Sequence, residues 1–545
     1  MVLLHTNFDI RGQIFLDKVI DLRHKFINDE KLLTISKSLE KNRHLQSVDL
    51  RDNVFCDKNL QFLLNSFANS KDSLEEIYLG YNDIGGHGLA FLLDSNIYFG
   101  NLRRIYINNC SLNDEDLCSL CKFLCNNTKV ETLDLSCNNF SYRASITIAK
   151  IIENCKSLKS FYFSYNKLTS QTIEFISNSL EKNPTVSTIY ARCLDLKDQG
   201  ADLLTRGLNH NTNLKYLNIG DNDISDAGFI KICNNLVSNT GLHTLNLGRN
   251  KIAVGSMSAL GKLFISNKTL KEINLGKNNI SDDGIKILNE TIGNCQIGLH
   301  MFNVRDNNIS EKSANDFASF LKHCQNLRIL SLCDNSVGSH GMEIICESIF
   351  DHSNLKYLYV SDNDFSESVQ GLKTLSRKGV CLPFFVDRYD VFALKKPIEQ
   401  HAYNKVKINV LKCGTDVKNV LTNYLNNSKI FSICFDEMDL SDQDLVFIGQ
   451  FIKNHSSIEA VSFQKNQLNC SKIKMLAPSF KGHPSLKIID FKHNELGKEG
   501  TKVLAQELDK SNTLEFIDLS YNYVGFEFIE EICNYHKLSR LCWKF

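Results

Sequence analysis

LKYLNIGDNDISDAG (214–228), LHTLNLGRNKIAVGS (242–256) and LKEINLGKNNISDDG (270–284) superpose without a gap, each starting 28 residues after the last. Counting the first leucine as zero, apolar residues recur at offsets 0, 3, 5 and 10, and asparagine stands at offset 8. Leu217 and Ile219, two apart, share one face of a short strand. Ile232 with Leu236, and Leu288 with Ile292, are four apart and make the inner stripe of a helix. Asn222, Asn250 and Asn278 each carry an amide that can donate and accept where the chain leaves the strand. One such unit cannot bury its apolar face alone, so a core exists only where neighbours stack.

This pattern resembles a leucine-rich repeat, of the long, ribonuclease-inhibitor-like class that also occurs in the Ran GTPase-activating protein and in intracellular immune receptors. The resemblance implies an α/β leucine-rich-repeat solenoid: a curved horseshoe with parallel strands on its concave face and helices on its convex face.

The frame extends both ways. Lines start at Leu45, Leu74, Leu102, Val130, Leu158, Val186, Leu214, Leu242, Leu270, Leu299, Leu327 and Leu355, in steps of 28 or 29 residues, which leaves no room for an inserted catalytic loop over residues 45–365. Residues 1–44 hold a degenerate first line, with Ile20, Leu22 and Ile27 in frame but Asp17 and Lys25 in place of Leu and Asn, as an N-terminal cap needs. Over 366–429 the frame is lost, and two shortened repeats thread through it on Phe384 with Val386 and on Ile408 with Val410. It returns over 430–545 at Ile430, Ile458, Leu486 and Leu514, and a strand over Leu538–Trp543 closes the chain. Cys110, Leu194 and Met438 replace the asparagine; a small thiol can imitate it and leucine cannot, so the Val186 line is a weak point. Glycines at offset 14, such as Gly88, Gly200, Gly228, Gly284, Gly341 and Gly500, are expected to give the return helix a tight backbone at its start.

Lysine plus arginine balances aspartate plus glutamate at 62 each, so no global field draws in nucleic acid or an anionic membrane. No run is long enough to span a bilayer, and MVLLHTNFDIRGQIFLDKVIDLR (1–23) is too short in its apolar part and too charged for a signal peptide. Nineteen cysteines, an odd number without paired spacing, predict reduced thiols in a cytoplasmic protein. The bias toward Asn, Lys and Ile, with no attached signalling domain, resembles effectors that intracellular bacteria inject into host cells, which would put the protein in a host cytosol.

No phosphate-binding glycine loop, zinc spacing or nucleophile elbow stands in a usable context, so no catalytic residue, metal or cofactor is expected. Cys118, Cys121 and Cys125 share one side of a return helix and read as packing beside Leu117, Leu120 and Leu124. Cys434-Phe435-Asp436 resembles the Cys-x-Asp of bacterial leucine-rich-repeat ubiquitin ligases, whose motif sits instead in a separate helical domain. The Thr-Gly-Arg of the Ran regulator is absent. An enzyme or enzyme regulator, ubiquitin-ligase-like or GTPase-regulating, is therefore the alternative reading, and labelling of Cys434 by a thiol-reactive ubiquitin probe would distinguish it.

The surface carries the main reading. Offsets 2, 4 and 6 point outward, and offset 4 runs Asp49, Tyr78, Tyr106, Asp134, Tyr162, Tyr190, then Asn218, Asn246, Asn274 and Asn303. Strands about 4.8 Å apart make this a contiguous column. Tyr81 and Tyr165 in the adjoining turns widen the patch, and Arg104 and Arg192 flank it. Tyrosine also suits strands in general, but aromatic and arginine anchors at outward positions typify protein interfaces. The asparagines are expected to pair with one another along the sheet. The sequence thus predicts a non-enzymatic scaffold that binds a protein partner on the concave face through these residues.

Overall fold

In each repeat the asparagine at offset 8 fixes where the chain leaves the strand. Asn222 donates from Nδ2 to the carbonyl of Ala191 in the preceding repeat (2.9 Å) and to that of Gly220 in its own (3.0 Å), while its Oδ1 accepts the Leu194 N–H (2.8 Å). Asn53, Asn82, Asn138, Asn466 and Asn494 likewise donate both to their own repeat and to the one before. The residue just before the asparagine takes the left-handed backbone, with φ of 56° at Asp52, 60° at Tyr81, 56° at Tyr165, 58° at Asp221 and 59° at Arg249. The side chain there is thrown out of the turn while the next one is drawn in.

The computed structural model describes residues 17–85, 98–349 and 430–508, apart from 24, 171, 172, 437 and 439, with short pieces at 354–355, 357–360, 363, 406–409, 421, 511, 513–514, 516–519, 522 and 542–544. Upstream of each asparagine lies a three-residue strand whose middle residue is buried, as in Tyr216–Asn218, Thr244–Asn246 and Glu272–Asn274. Downstream, Asp226–Leu236 and Ser281–Ile292 are helices that bury Ile232, Leu236, Leu288 and Ile292. Ser225 caps the first by accepting the Ala227 N–H (3.2 Å), and an Asn113–Asp116 capping box starts Asp114–Asn126.

The residues group into two units, Met1–Asn308 with His323–Asn326, and Ile309–Lys322 with Leu327–Phe545. In the first, strands from Val19–Asp21 to Met301–Asn303 pair in chain order, all parallel. The degenerate first line joins them, with Ile20 opposite Val48. In the second, Ile329–Ser331 pairs with Tyr357–Tyr359, and a six-stranded parallel sheet runs from Val406–Asn409 to Cys542–Lys544. Ile408 does lie in a strand, opposite Ile433, and Trp543 pairs with Ile517. Phe384, Val386, Val410, Leu538 and Gly88 lie outside the described residues.

Two features differ from the expectation. The offset-14 glycines serve close approach between repeats: a Cβ on Gly228 would stand 2.4 Å from the Asp198 carboxylate, and one on Gly284 would stand 3.2 Å from Met257, each in the preceding repeat. A second asparagine ladder also runs through part of the first unit, three residues before the Val186, Leu214, Leu242 and Leu270 lines. Asn211 donates to the carbonyl of Leu180 (2.5 Å), Asn239 to that of Leu208 (2.6 Å) and Asn267 to that of Leu236 (2.7 Å). In the second unit His483 takes this place, with Nε2 facing the Ile452 and His455 carbonyls at 3.2 Å and Nδ1 accepting the Leu486 N–H at 3.1 Å.

Candidate functional site

Strand register sets the aromatic column. Tyr78 lies opposite Tyr106, Tyr106 opposite Asp134, Asp134 opposite Tyr162, and Tyr162 opposite Tyr190. Because successive repeats present the same offset, the rings meet face to face. Tyr78 and Tyr106 stack with centroids 4.7 Å apart and planes 8° from parallel, and Tyr162 and Tyr190 stack at 4.6 Å and 21°. Such pairs contribute roughly 0.5–1.5 kcal/mol each beyond the area they bury. The four column rings are half-buried. Tyr81 and Tyr165, on the left-handed turn residues, are 51% and 41% exposed.

Cations are held close to the rings. The Arg192 guanidinium lies 5.5 Å from the Tyr165 ring centre and 3.3 Å from an Asp221 oxygen. Arg104, half in solvent, pairs with Glu76, which also accepts the Tyr78 hydroxyl (3.2 Å). Burial, then the Glu76 charge and Tyr106, push the Tyr78 phenol up to about 12. Burial, then Tyr190 and Tyr106, do the same for Tyr162. Both remain neutral hydrogen-bonding phenols near neutral pH. Asp134 accepts the Ser136 N–H (2.9 Å), and burial raises its pKa.

All nine predicted residues thus lie on adjoining repeats of one sheet, and the structure adds two. Tyr216 stacks on Tyr190 (4.8 Å, 28°), and Arg51 lies 4.8 Å from the Tyr78 ring centre while chelating Asp49 at 2.6 and 2.9 Å. Both occupy outward offsets, 2 and 6, so their positions carried a signal.

The asparagine column is not the row of mutually paired amides expected. Asn218, Asn246, Asn274 and Asn303 are each less than one tenth exposed. Each Oδ1 accepts the N–H two residues on, at Gly220, Gly248, Gly276 and Arg305 (2.9–3.0 Å). The glycines admit the backbone of the next repeat, since a Cβ on Gly220 would stand 2.7 Å from the Gly248 carbonyl oxygen. Asp134 makes this same local bond in the aromatic stretch.

The thiol cluster is split: Cys121 is buried, whereas Cys118 and Cys125 are exposed, so only the first packs as expected. Cys434 lies in the strand Ile430–Cys434, opposite Ser462, and Asp436 accepts the Ser462 hydroxyl (2.6 Å) and the Gln464 N–H (2.7 Å). Among the described residues no helix is long and apolar enough to cross a membrane.

The family described as "Leucine Rich repeat" matches residues 41–58, 126–144, 210–233, 266–288 and 482–505. The described residues have the fold of stacked α/β leucine-rich repeats. No curated protein matches it. Among solved structures, its leucine-rich repeats are similar to an internalin of Listeria monocytogenes, at 23% identity over 66% of this chain and 89% of that one, with a TM-score of 0.40. A chain of the Rad7 and Elc1 complex from yeast aligns at 13% identity over 71% of this chain and 80% of that one, with a TM-score of 0.40. The structure of a TLR13–ssRNA13 complex aligns at 14% over 90% of this chain and 76% of that one, with a TM-score of 0.36.

Proposed function

We propose that this protein is a non-enzymatic binding module, of the ribonuclease-inhibitor-like class of leucine-rich repeat, whose aromatic column takes a protein partner. One observation carries the reading: Tyr81 and Tyr165 stand exposed on left-handed backbone, a position that other repeats of the same sheet fill with Asp52, Asn109, Cys137, Cys193, Asp221, Arg249, Lys277, Asp306 and Asp334, none of them aromatic. Asparagine and aspartate tolerate that conformation best, and a bulky ring there adds strain while about half of its surface stays in solvent in the isolated chain. A partner supplies the gain, as tyrosine and arginine do at interface hot spots. The compartment we assign is a cytosol, where the thiols stay reduced. The Asn-, Lys- and Ile-rich composition suits a secreted bacterial effector working in a host cytosol.

The test is a Tyr81→Ala, Tyr165→Ala double variant beside the wild type, in affinity capture from eukaryotic lysate with quantitative mass spectrometry. Two hot-spot rings at roughly 2 kcal/mol each correspond to about a thousandfold weaker binding. The variant should melt with the wild type, since both rings are exposed, and should lose the wild type's specific proteins. Capture of the same set by both would overturn the reading.

A further inference from the structure

The tyrosine stack has one rung missing. Tyr78 and Tyr106 stack on one side, Tyr162 and Tyr190 on the other, and between them the column position is Asp134. In a stack that climbs one strand per ring, the outer faces of Tyr106 and Tyr162 look toward each other across two strand spacings, about 9.6 Å. A flat group between two rings needs about 7 Å of face-to-face clearance, at roughly 3.5 Å per contact, so the gap accepts one planar group and no more. Small side chains, Thr132 opposite Ser160 and then Ser136, lie at the neighbouring outward offsets.

The floor of the gap is charged and uncompensated. Asp49 is chelated by Arg51, Glu76 is paired with Arg104, and Asp221 is paired with Arg192. Asp134 is half-buried and bonded to Ser136, and among the described residues no cation reaches it. Burial, opposed by the Ser136 bonds, raises its pKa. That marks a carboxylate that gains from an arriving positive charge.

We propose that the gap between Tyr106 and Tyr162 is a pocket for one arginine side chain of a protein partner, its guanidinium sandwiched by the two rings and hydrogen-bonded to Asp134. Guanidinium is planar, permanently charged, weakly hydrated and a forked donor, which matches two π faces and a carboxylate together. Ammonium offers no plane to stack, and a neutral ring offers nothing to the carboxylate. The pocket rests on the partner-binding reading of the same face and gives it a chemistry.

The test uses the full chain and four labelled peptides, acetyl-Gly-Gly-X-Gly-Gly-amide with X arginine, citrulline, lysine or phenylalanine, titrated by fluorescence anisotropy. Arginine should bind at least about tenfold more tightly than planar, neutral citrulline, the margin a charge-assisted hydrogen bond supplies, and more tightly than lysine or phenylalanine. Asp134→Asn should bring arginine down to the citrulline level without unfolding the chain, because Asn218 and Asn246 hold the same local bond at the same offset. Equal binding of the four peptides, no binding of the arginine peptide, or arginine binding untouched in Asp134→Asn would each overturn the pocket. If the exposed-tyrosine double variant loses its captured proteins while Asp134→Asn keeps them, the face binds a partner but not through arginine. If the double variant keeps them too, the binding face itself lies elsewhere.

Discussion

Asn250 satisfies four backbone groups with one side chain: the carbonyls of Leu247 and Ile219 at 2.8 and 3.3 Å, and the N–H groups of Asn222 and Ile224 at 3.0 and 3.1 Å. Asn250→Ala strands them and should cost about 1–3 kcal/mol in a urea titration. Asn246→Ala frees only the Gly248 N–H, so the cost should be nearer 1 kcal/mol, although Asn246 is the more buried residue. Equal losses would mean that burial, not bond count, ranks these positions. Asp490 sets a pH response in the second sheet. Burial pushes its carboxyl up to about 6, the Asp518 and Asp436 charges add to this, and the Lys492 N–H and Gln464 oppose it. An unfolded aspartate ionises near pH 3.9, so the folded state holds a proton that the unfolded chain has lost between about pH 4 and 6. That contribution is fully present below about pH 4 and gone above about pH 6. Asp490→Asn should flatten this limb, stabilising the protein relative to wild type at pH 7.5 and not at pH 4; a stability difference independent of pH would contradict it.

At the scale of the repeat, Cys110 shows how far the ladder tolerates substitution. Its thiol reaches the Leu79 and Asn108 carbonyls at 3.4 and 3.5 Å, but a thiol is a weak donor and acceptor. Cys110→Asn supplies the amide the neighbouring repeats use and should raise stability by about 0.5–1.5 kcal/mol, read as a higher melting temperature. A lower one would show that the repeat has closed around the smaller side chain. The repeats were legible in sequence because the alternation at offsets 3 and 5 fixes which face of a strand is buried, and a constant 28-residue step carries that face from strand to strand. The same transfer made the column from Tyr78 to Tyr190 readable. The burial of Asn246 was not, because an outward offset says nothing about an amide folding back onto its own backbone. The outward offset of Tyr216 marked its position, but not its stacking on Tyr190, which depends on side-chain torsions that no offset encodes. The second ladder was present as asparagines at 183, 211, 239 and 267, but a spacing measured from the leucines hides a residue that precedes them.

Over the whole molecule, stability is a sum of repeats and the contacts each makes with its neighbours, so opening is local before it is global. The cysteines are distributed to report this. Burial pushes the thiols of Cys110, Cys155 and Cys346 up to about 12 and raises that of Cys233. Thiolate, the species that reacts, is therefore scarce as well as shielded. Cys118, Cys125 and Cys295 are exposed. In a timed alkylation followed by mass spectrometry, the exposed three should be labelled at once, and each buried thiol only when its own repeat opens. Labelling of Cys233 in native buffer as fast as Cys295 would show that the repeats breathe far more than their packing allows. Sulfur placed to fill a core thus doubles as a set of stopwatches strung along the chain, each started by a different repeat, and the order in which they stop is the order in which the protein comes apart.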